Sequence, residues 1–177
     1  PKLGESVEAL ERVEVREVRV GDRRVAIQWN PGRATSSTAK VDPATVRARP
    51  CFLCPENHPA EERGLAFGES LVILPNPAPI LGRHVVVAHR DHRPQDIVAG
   101  LAGLLDFAEA AGPATTALYN GPRSGASAPD HLHLQGVASG VLPEEVSARQ
   151  ALAAGSVPGD LIARRDGLLA FSARDAG

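Results

Sequence analysis

The stretch SAPDHLHLQGV, residues 127–137, alternates polar and apolar side chains directly after the turn-forming stretch YNGPRSGA. Side chains two residues apart lie on the same face of a β-strand. We therefore expect His131, His133 and Gln135 to share one face of a short strand, with the two intervening leucines in the core. The alternative is a solvated strand face that carries its histidines by chance.

The polar face and the loop before it together favour phosphorus chemistry. A neutral imidazole can attack a phosphorus atom and form a covalent intermediate. Small residues let backbone N–H groups approach phosphate oxygens, and GPRSGAS at 121–127 offers such a loop. Arg123 would add a positive charge there, and a solvated arginine is the alternative.

The remaining chain predicts short strands, hairpins and one main helix. Apolar residues at helical spacing, followed by Gly-Pro, predict the main helix at about 95–111. Alternation around Gly21-Asp22 and the pair Asp166-Gly167 predict N- and C-terminal hairpins. These elements favour one α+β domain over 1–177 with a largely antiparallel β-sheet. The predicted segments are the hairpins at 13–30 and 160–173, strands at 70–76, 83–89, 114–120 and 131–137, a second helix at 143–154, and an irregular connection at 31–50.

Composition limits the classes of partner. The 177 residues are 43% hydrophobic and 23% charged, which suits one globular domain. A formal net charge of -2 gives no general attraction to nucleic acid or anionic membranes, so we expect a small-molecule partner. The amino-terminal residues lack a signal-peptide pattern, and a cytoplasmic protein is expected. Because methionine is absent, we expect a truncated chain or omitted residues.

A CxxC pair, Cys51 and Cys54, lies in the stretch RPCFLCPENHP. Two thiolates in a tight turn can share one tetrahedral ion, but a pair of ordinary buried thiols is an equal alternative. Later histidines could complete a Cys2His2 site, whereas the spacing excludes a C2H2 finger. Among the other histidines, we expect His84 to be a core residue and His89 an exposed one, and His58 could replace a ligand. The available histidines are His84, His89, His92 and His131.

Two separated motifs resemble a known family. HLHLQ at 131–135 and ILPNPAPILGRHVVVAHRDH at 73–92 resemble the histidine triad superfamily, in its HxHxQ branch. That branch contains galactose-1-phosphate uridylyltransferase, diadenosine tetraphosphate phosphorylase and the GDP-hexose phosphorylases. The likeness runs from about Arg49 to Val137 and is closest to a bacterial set of phosphorylase-like proteins. It implies a HIT-like fold. The spacing of the superfamily is kept by Asn76, Pro79, His84 and His92.

The resemblance implies a role for each matching residue. His133 would be the nucleophile that takes up a nucleoside monophosphate, and Gln135 would bind the transferred phosphoryl group. A structural zinc ion would be held by Cys51, Cys54, His92 and His131. Asn76 would contact the ribose. The positions implied to bind nucleotide and phosphate are Asn76, Asn120, Arg123, Ser124, Gly125, Ala126 and Ser127; one residue more separates Ser127 from the histidines than in the uridylyltransferases.

Glutamine at the third motif position bears on the reaction. An amide can donate a hydrogen bond but cannot deliver a proton at neutral pH, so Gln135 suits a leaving group that departs as an anion. This favours a nucleotidyltransferase or phosphorylase that acts through a nucleotidyl-histidine, with phosphate or a sugar phosphate as acceptor. The alternatives are a nucleotide hydrolase and a non-catalytic, zinc-stabilised nucleotide-binding module. Since the uridylyltransferases duplicate this fold in one chain, we also expect a homodimer. The base and sugar stay open.

Overall fold

A computed structural model of the chain describes residues 3–21, 23–30, 40–153, 161–163 and 169–171. It divides into two compact units, 1–138 and 139–177, where the sequence predicts one domain. The observed class is α+β, and every strand pair among the described residues is antiparallel. The predicted class is therefore confirmed at this level.

The first unit begins with a short helix and the predicted hairpin. Helix α1 spans Leu3–Leu10 and was not predicted. Strands β1 (Glu14–Val20) and β2 (Arg23–Trp29) pair as expected; Asp22 of the turn lies outside the described residues. All residues of β1 are exposed. The alternation of apolar and polar residues here therefore belongs to an exposed two-stranded hairpin and not to a strand with one face in a core.

The predicted irregular connection contains a helix. Helix α2 spans Pro43–Ala48, so the prediction for 31–50 is wrong there, while 31–39 lie outside the described residues. Asp42 caps the helix by accepting a hydrogen bond from the Thr45 N–H at 3.0 Å. Proline at the first helical position needs no hydrogen-bond partner and has a suitable φ. The local Asp-Pro signal therefore outweighs the missing apolar period.

A five-stranded sheet forms the centre of this unit. Its strands are β3 (Leu65–Phe67), β4 (Leu71–Pro75), β5 (Val85–His89), β6 (Thr115–Leu118) and β7 (His133–Ala138), in the order β3-β4-β5-β7-β6. The predicted strands at 70–76, 83–89, 114–120 and 131–137 are all present, with the last beginning at His133 instead of His131. Strand β3 was not predicted.

One face of the sheet packs against the main helix. Helix α3 spans Ile97–Ala111, close to the predicted 95–111, and its Phe107 packs with Val87 and Leu134. A Cβ at Gly136 would lie 2.9 Å from two atoms of the Phe107 ring. The absence of a side chain at this position therefore lets the helix approach the strand that carries the histidines. Leu134 lies on this face as predicted.

The opposite face of the sheet is covered as well. A cluster of buried side chains lies there, and the register places Ala88 opposite His133 and Val86 opposite Gln135. The two polar residues therefore share a face with buried alanine and valine, and a solvated strand face is wrong for this protein. The cluster consists of Leu53, Leu74, Val86, Ala88 and Ala128.

The second unit contains the other predicted elements. Helix α4 spans Pro143–Ala153, and strands β8 (Leu161–Ala163) and β9 (Leu169–Phe171) pair antiparallel. The predicted turn at Asp166-Gly167 lies outside the described residues. Among the helices of the described chain, none has the length and apolar character needed to cross a membrane.

Candidate metal centre and histidine site

Four side chains from three separate segments form a possible metal site. One ligand atom of each lies within 4.8 Å of the other three, and no other group of this kind occurs in the described part of the chain. The four residues are Cys51, Cys54, His92 and His131, the set that the family resemblance implies. His58, His84 and His89 are not members, so the idea that His58 replaces a ligand is wrong.

The CxxC segment is folded as a tight knuckle. The Cys54 N–H donates to the Cys51 carbonyl at 3.2 Å, and a 3-10 helix follows at Pro55–Asn57. Asn57 closes the turn, because its Nδ2 donates to the Cys51 carbonyl at 2.9 Å. Leu53 points from the knuckle into the buried cluster against the sheet. This packing holds both thiols close to His92 and His131.

The hydrogen bonds of His131 determine which ring nitrogen faces the thiols. Its Nε2 lies 2.7 Å from the His89 carbonyl oxygen, which can only accept. Nε2 therefore carries the proton, and Nδ1 keeps its lone pair. Nδ1 lies 3.3 Å from the Cys51 sulfur and 3.5 Å from the Cys54 sulfur. This tautomer is the one that can bind a metal ion.

His92 repeats this arrangement at the rim of the site. Its Nδ1 lies 3.3 Å from the Cys54 sulfur, and its Nε2 lies 3.4 Å from an Asp130 carboxylate oxygen. Acceptors of this kind orient ligating histidines and raise their basicity. Both histidines thus offer Nδ1 to the cluster, while their other nitrogen faces an oxygen.

Burial sets the protonation of the metal-free cluster. It lowers the pKa of His131, which keeps that imidazole neutral. Burial, followed by the neighbouring Cys51, raises the pKa of the Cys54 thiol to about 11. A metal ion must therefore displace a proton from Cys54 when it binds.

His133 lies two residues further along, buried to 5% exposure. Its Nδ1 lies 2.8 Å from the His131 carbonyl oxygen, so Nδ1 donates a proton and Nε2 carries the lone pair. Burial lowers the pKa of this imidazole. The arrangement gives a neutral histidine whose unprotonated ring nitrogen is Nε2.

Gln135, Asn76 and His84 form a second group on the same face. The Ile80 N–H donates to His84 Nδ1 at 3.2 Å, so His84 Nε2 carries the proton and donates to Gln135 Oε1 at 2.7 Å. The Asn76 amide nitrogen lies 3.1 Å from the same Nε2. The expectation of a core histidine at 84 is right about burial, but His84 also orients the Gln135 amide.

The predicted phosphate loop lies mostly at the surface. Arg123, Ser124, Gly125 and Ser127 are exposed, and Ala126 is buried. Within the described residues, no hydrogen bond or ion pair links Arg123 to His133. The Arg49 guanidinium donates to the Ser127 carbonyl, which ties the loop to the segment before the metal knuckle.

Sequence reasoning missed four contributions to the site. Gln95 is 4% exposed and hydrogen-bonds to the backbone of His133. His89, expected to be exposed, is buried, and its carbonyl accepts a hydrogen bond from His131 Nε2. Asp130 and Arg49 act through the contacts given above. Gln95, Asp130 and Arg49 are single polar residues outside the strands and carry no periodic signal, and His89 contributes a backbone carbonyl, so none of these roles could be read from spacing.

The comparisons with known proteins give a family. The family model described as Domain of unknown function (DUF4922) matches residues 1–138, which are the residues of the first unit. No curated protein and no solved structure matches the chain. Because the matched residues make up most of its length, this chain belongs to the DUF4922 family.

Proposed function

We propose that this protein is a nucleotidyltransferase or phosphorylase of HIT-like fold, in which His133 carries the nucleotidyl group. The observation that supports this most directly is the tautomer of His133. Its Nδ1 donates to the His131 carbonyl at 2.8 Å, so the lone pair is on Nε2. The lone pair on Nε2 is what the transfer requires of this residue.

The expected reaction has two displacements at phosphorus. In the first, His133 Nε2 forms a bond to the α-phosphorus of a nucleoside diphosphate derivative, and the phosphorus–oxygen bond to the leaving phosphate or sugar phosphate breaks with its electron pair. The positive charge on the imidazole is stabilised by the Nδ1–H bond to the His131 carbonyl. In the second, an oxygen of the acceptor phosphate attacks the adduct and frees Nε2.

The amide of Gln135 supports a reaction whose leaving group departs as a stable anion. His84 donates to its Oε1, which leaves the Gln135 NH2 group to donate to a phosphoryl oxygen. An amide delivers no proton, so the leaving group must be stable as an anion. Phosphates and sugar phosphates meet this condition.

Zinc is the metal that the donor set favours. Two thiolates and two imidazole nitrogens match a tetrahedral structural zinc site, with all four positions taken by protein. In this role the ion would not act as a Lewis acid; it would fix the residues around it. The His131 ring would bind the metal, while the His131 backbone carbonyl accepts the hydrogen bond from His133 Nδ1. His131 thus links the two sites.

The test is the detection of a covalent adduct. The zinc-loaded full chain is mixed with nucleoside diphosphate sugars and dinucleoside polyphosphates, with and without inorganic phosphate, and then quenched for intact-mass and peptide mass spectrometry. We expect a nucleoside monophosphate adduct on His133, and a nucleoside diphosphate as product when phosphate is added. The variant His133→Gly should lose both.

The control is His58→Gly, which removes a histidine outside the site and should keep adduct and turnover. A monophosphate product that phosphate does not change would support the hydrolase instead. Nucleotide binding without any adduct would support the non-catalytic module. Either result would overturn the proposed transfer, as would full activity of His133→Gly.

A further inference from the structure

Strand β6 separates from β7 at the point where His133 begins. The register pairs Leu118 with Gln135, and the same antiparallel register would place Asn120 opposite His133. Strand β6 nevertheless ends at Leu118. The backbone of His133 therefore lacks its expected strand partner on this side.

The side chain of Gln95 takes the place of that partner. Its Oε1 accepts from the His133 N–H at 2.7 Å, and its Nε2 donates to the His133 carbonyl at 3.0 Å. The same Nε2 donates to the Asn120 carbonyl at 2.9 Å. One buried amide thus imitates a peptide group of a neighbouring strand and stands between Asn120 and His133.

Gln95 is itself held from two sides. The Tyr119 hydroxyl donates to the Gln95 carbonyl at 2.9 Å, and the next residue, Asp96, caps helix α3 through the Val98 N–H at 3.0 Å. A side chain anchored in this way has little freedom to follow changes in the strand. It can therefore set the distance between the strand and the loop that begins at Asn120.

We propose that Gln95 is a positioning residue that holds the 120–127 loop apart from His133, so that nucleophile and loop face one phosphoryl group at a fixed separation. The inference rests on the proposed function for its chemical role. Without the amide, the sheet could close by one more pair, or the loop could move relative to His133. Either change would misplace the attacking nitrogen, and small misplacements are costly for a near-attack geometry.

Two variants separate the bonds that Gln95 makes. Leucine keeps much of the volume, and so keeps Asn120 from reaching His133, but it offers no hydrogen bond. A glutamate carboxylate keeps the acceptor for the His133 N–H and loses both donor bonds. The control is Arg63→Leu, which removes a hydrogen bond outside the site, from Arg63 Nη1 to the Ala60 carbonyl at 2.9 Å.

The first readout is amide hydrogen exchange by NMR on the zinc-loaded full chain. In Gln95→Leu we expect faster exchange of the His133 N–H and of the amides after Asn120. In Gln95→Glu we expect faster exchange after Asn120 with the His133 N–H still protected. Helix α3 should exchange as in the wild type. Unchanged exchange at both places in both variants would overturn the inference. If the leucine variant does not fold, the result for Gln95→Glu alone tests the inference.

The second readout is the rate of adduct formation on His133 with a nucleoside diphosphate sugar or a dinucleoside polyphosphate. We expect Gln95→Leu to lower the saturated rate at least about tenfold, with little change in the half-saturating concentration, and Arg63→Leu to leave both unchanged. If the wild type forms no adduct, the proposed function fails. Hydrogen exchange would still show whether Gln95 holds the 120–127 loop in place relative to His133. If adducts form equally fast in all variants, the Gln95 inference fails and the proposed function stands.

Discussion

Replacing Asp130 by asparagine should weaken metal binding by a measurable and limited amount. The carboxylate faces His92 Nε2 at 3.4 Å, with side-chain exposures of 36% for Asp130 and 45% for His92. Loss of an oxygen that orients a ligating histidine costs about 10- to 100-fold in metal affinity. Because this contact is long and partly solvated, we expect the low end, about tenfold or ~1.4 kcal/mol.

The assay is competition for zinc with a fluorescent chelator, and metal content is measured by elemental analysis. The wild type should bind one ion per chain, and Cys54→Ala should lose far more affinity than Asp130→Asn. The control is Asp91→Asn, which removes an exposed carboxylate on a residue outside the cluster. Equal affinities of Asp130→Asn and Asp91→Asn would refute the role of the carboxylate. Full metal content in Cys54→Ala would refute the site itself.

Three further predictions concern packing, pH and helix capping. Gly136→Ala would place a Cβ 2.9 Å from the Phe107 ring and should lower the free energy of unfolding, measured in urea, by about 1–3 kcal/mol. The control Gly82→Ala has open space at its Cβ and should change this free energy little. Equal losses in the two variants would contradict the packing argument. The pKa of metal-free Cys54 is raised to about 11, so zinc uptake at neutral pH should release protons and the affinity should fall as the pH is lowered; a pH-indicator titration without proton release would contradict this. Asp96→Ala removes the cap of helix α3 and should lower stability by about 1 kcal/mol, seen as a lower thermal midpoint; an unchanged midpoint would show that the cap is dispensable.

The sequence was most informative where chemistry and spacing coincide in one short stretch. The CxxC turn and the HxHxQ motif place their side chains through local geometry, and all four ligands that the family resemblance implies lie in one cluster. The main helix and four of the central strands were predicted for the same reason, since their apolar periods are continuous. The helix Pro43–Ala48 was missed because its evidence is a cap and not a period.

The contacts between distant segments could not be predicted in this way. Strand β5 pairs with β7 although β6 lies between them in the chain, so the sequence does not show that the His89 carbonyl meets the His131 ring. The roles of Gln95 and Asp130 depend on that same pairing. The burial of the histidine face could not be predicted either, because it depends on distant segments. Leu53 precedes the sheet residues that it covers in the chain, and Ala128 follows them.

A buried polar face is stable only if its polar atoms have partners, and this requirement explains why the histidines are arranged as they are. His131 uses Nε2 for the His89 carbonyl, Nδ1 for the thiols and its own carbonyl for His133. The bond to the His89 carbonyl fixes the tautomer of the His131 ring, and the bond to the His131 carbonyl fixes that of the His133 ring. The protonation of His133 therefore follows from the backbone of its neighbour. A substitution at His131 would therefore remove a ring from the metal site but keep the backbone carbonyl that fixes the tautomer of His133, and a change at Gln95 would leave both tautomers intact.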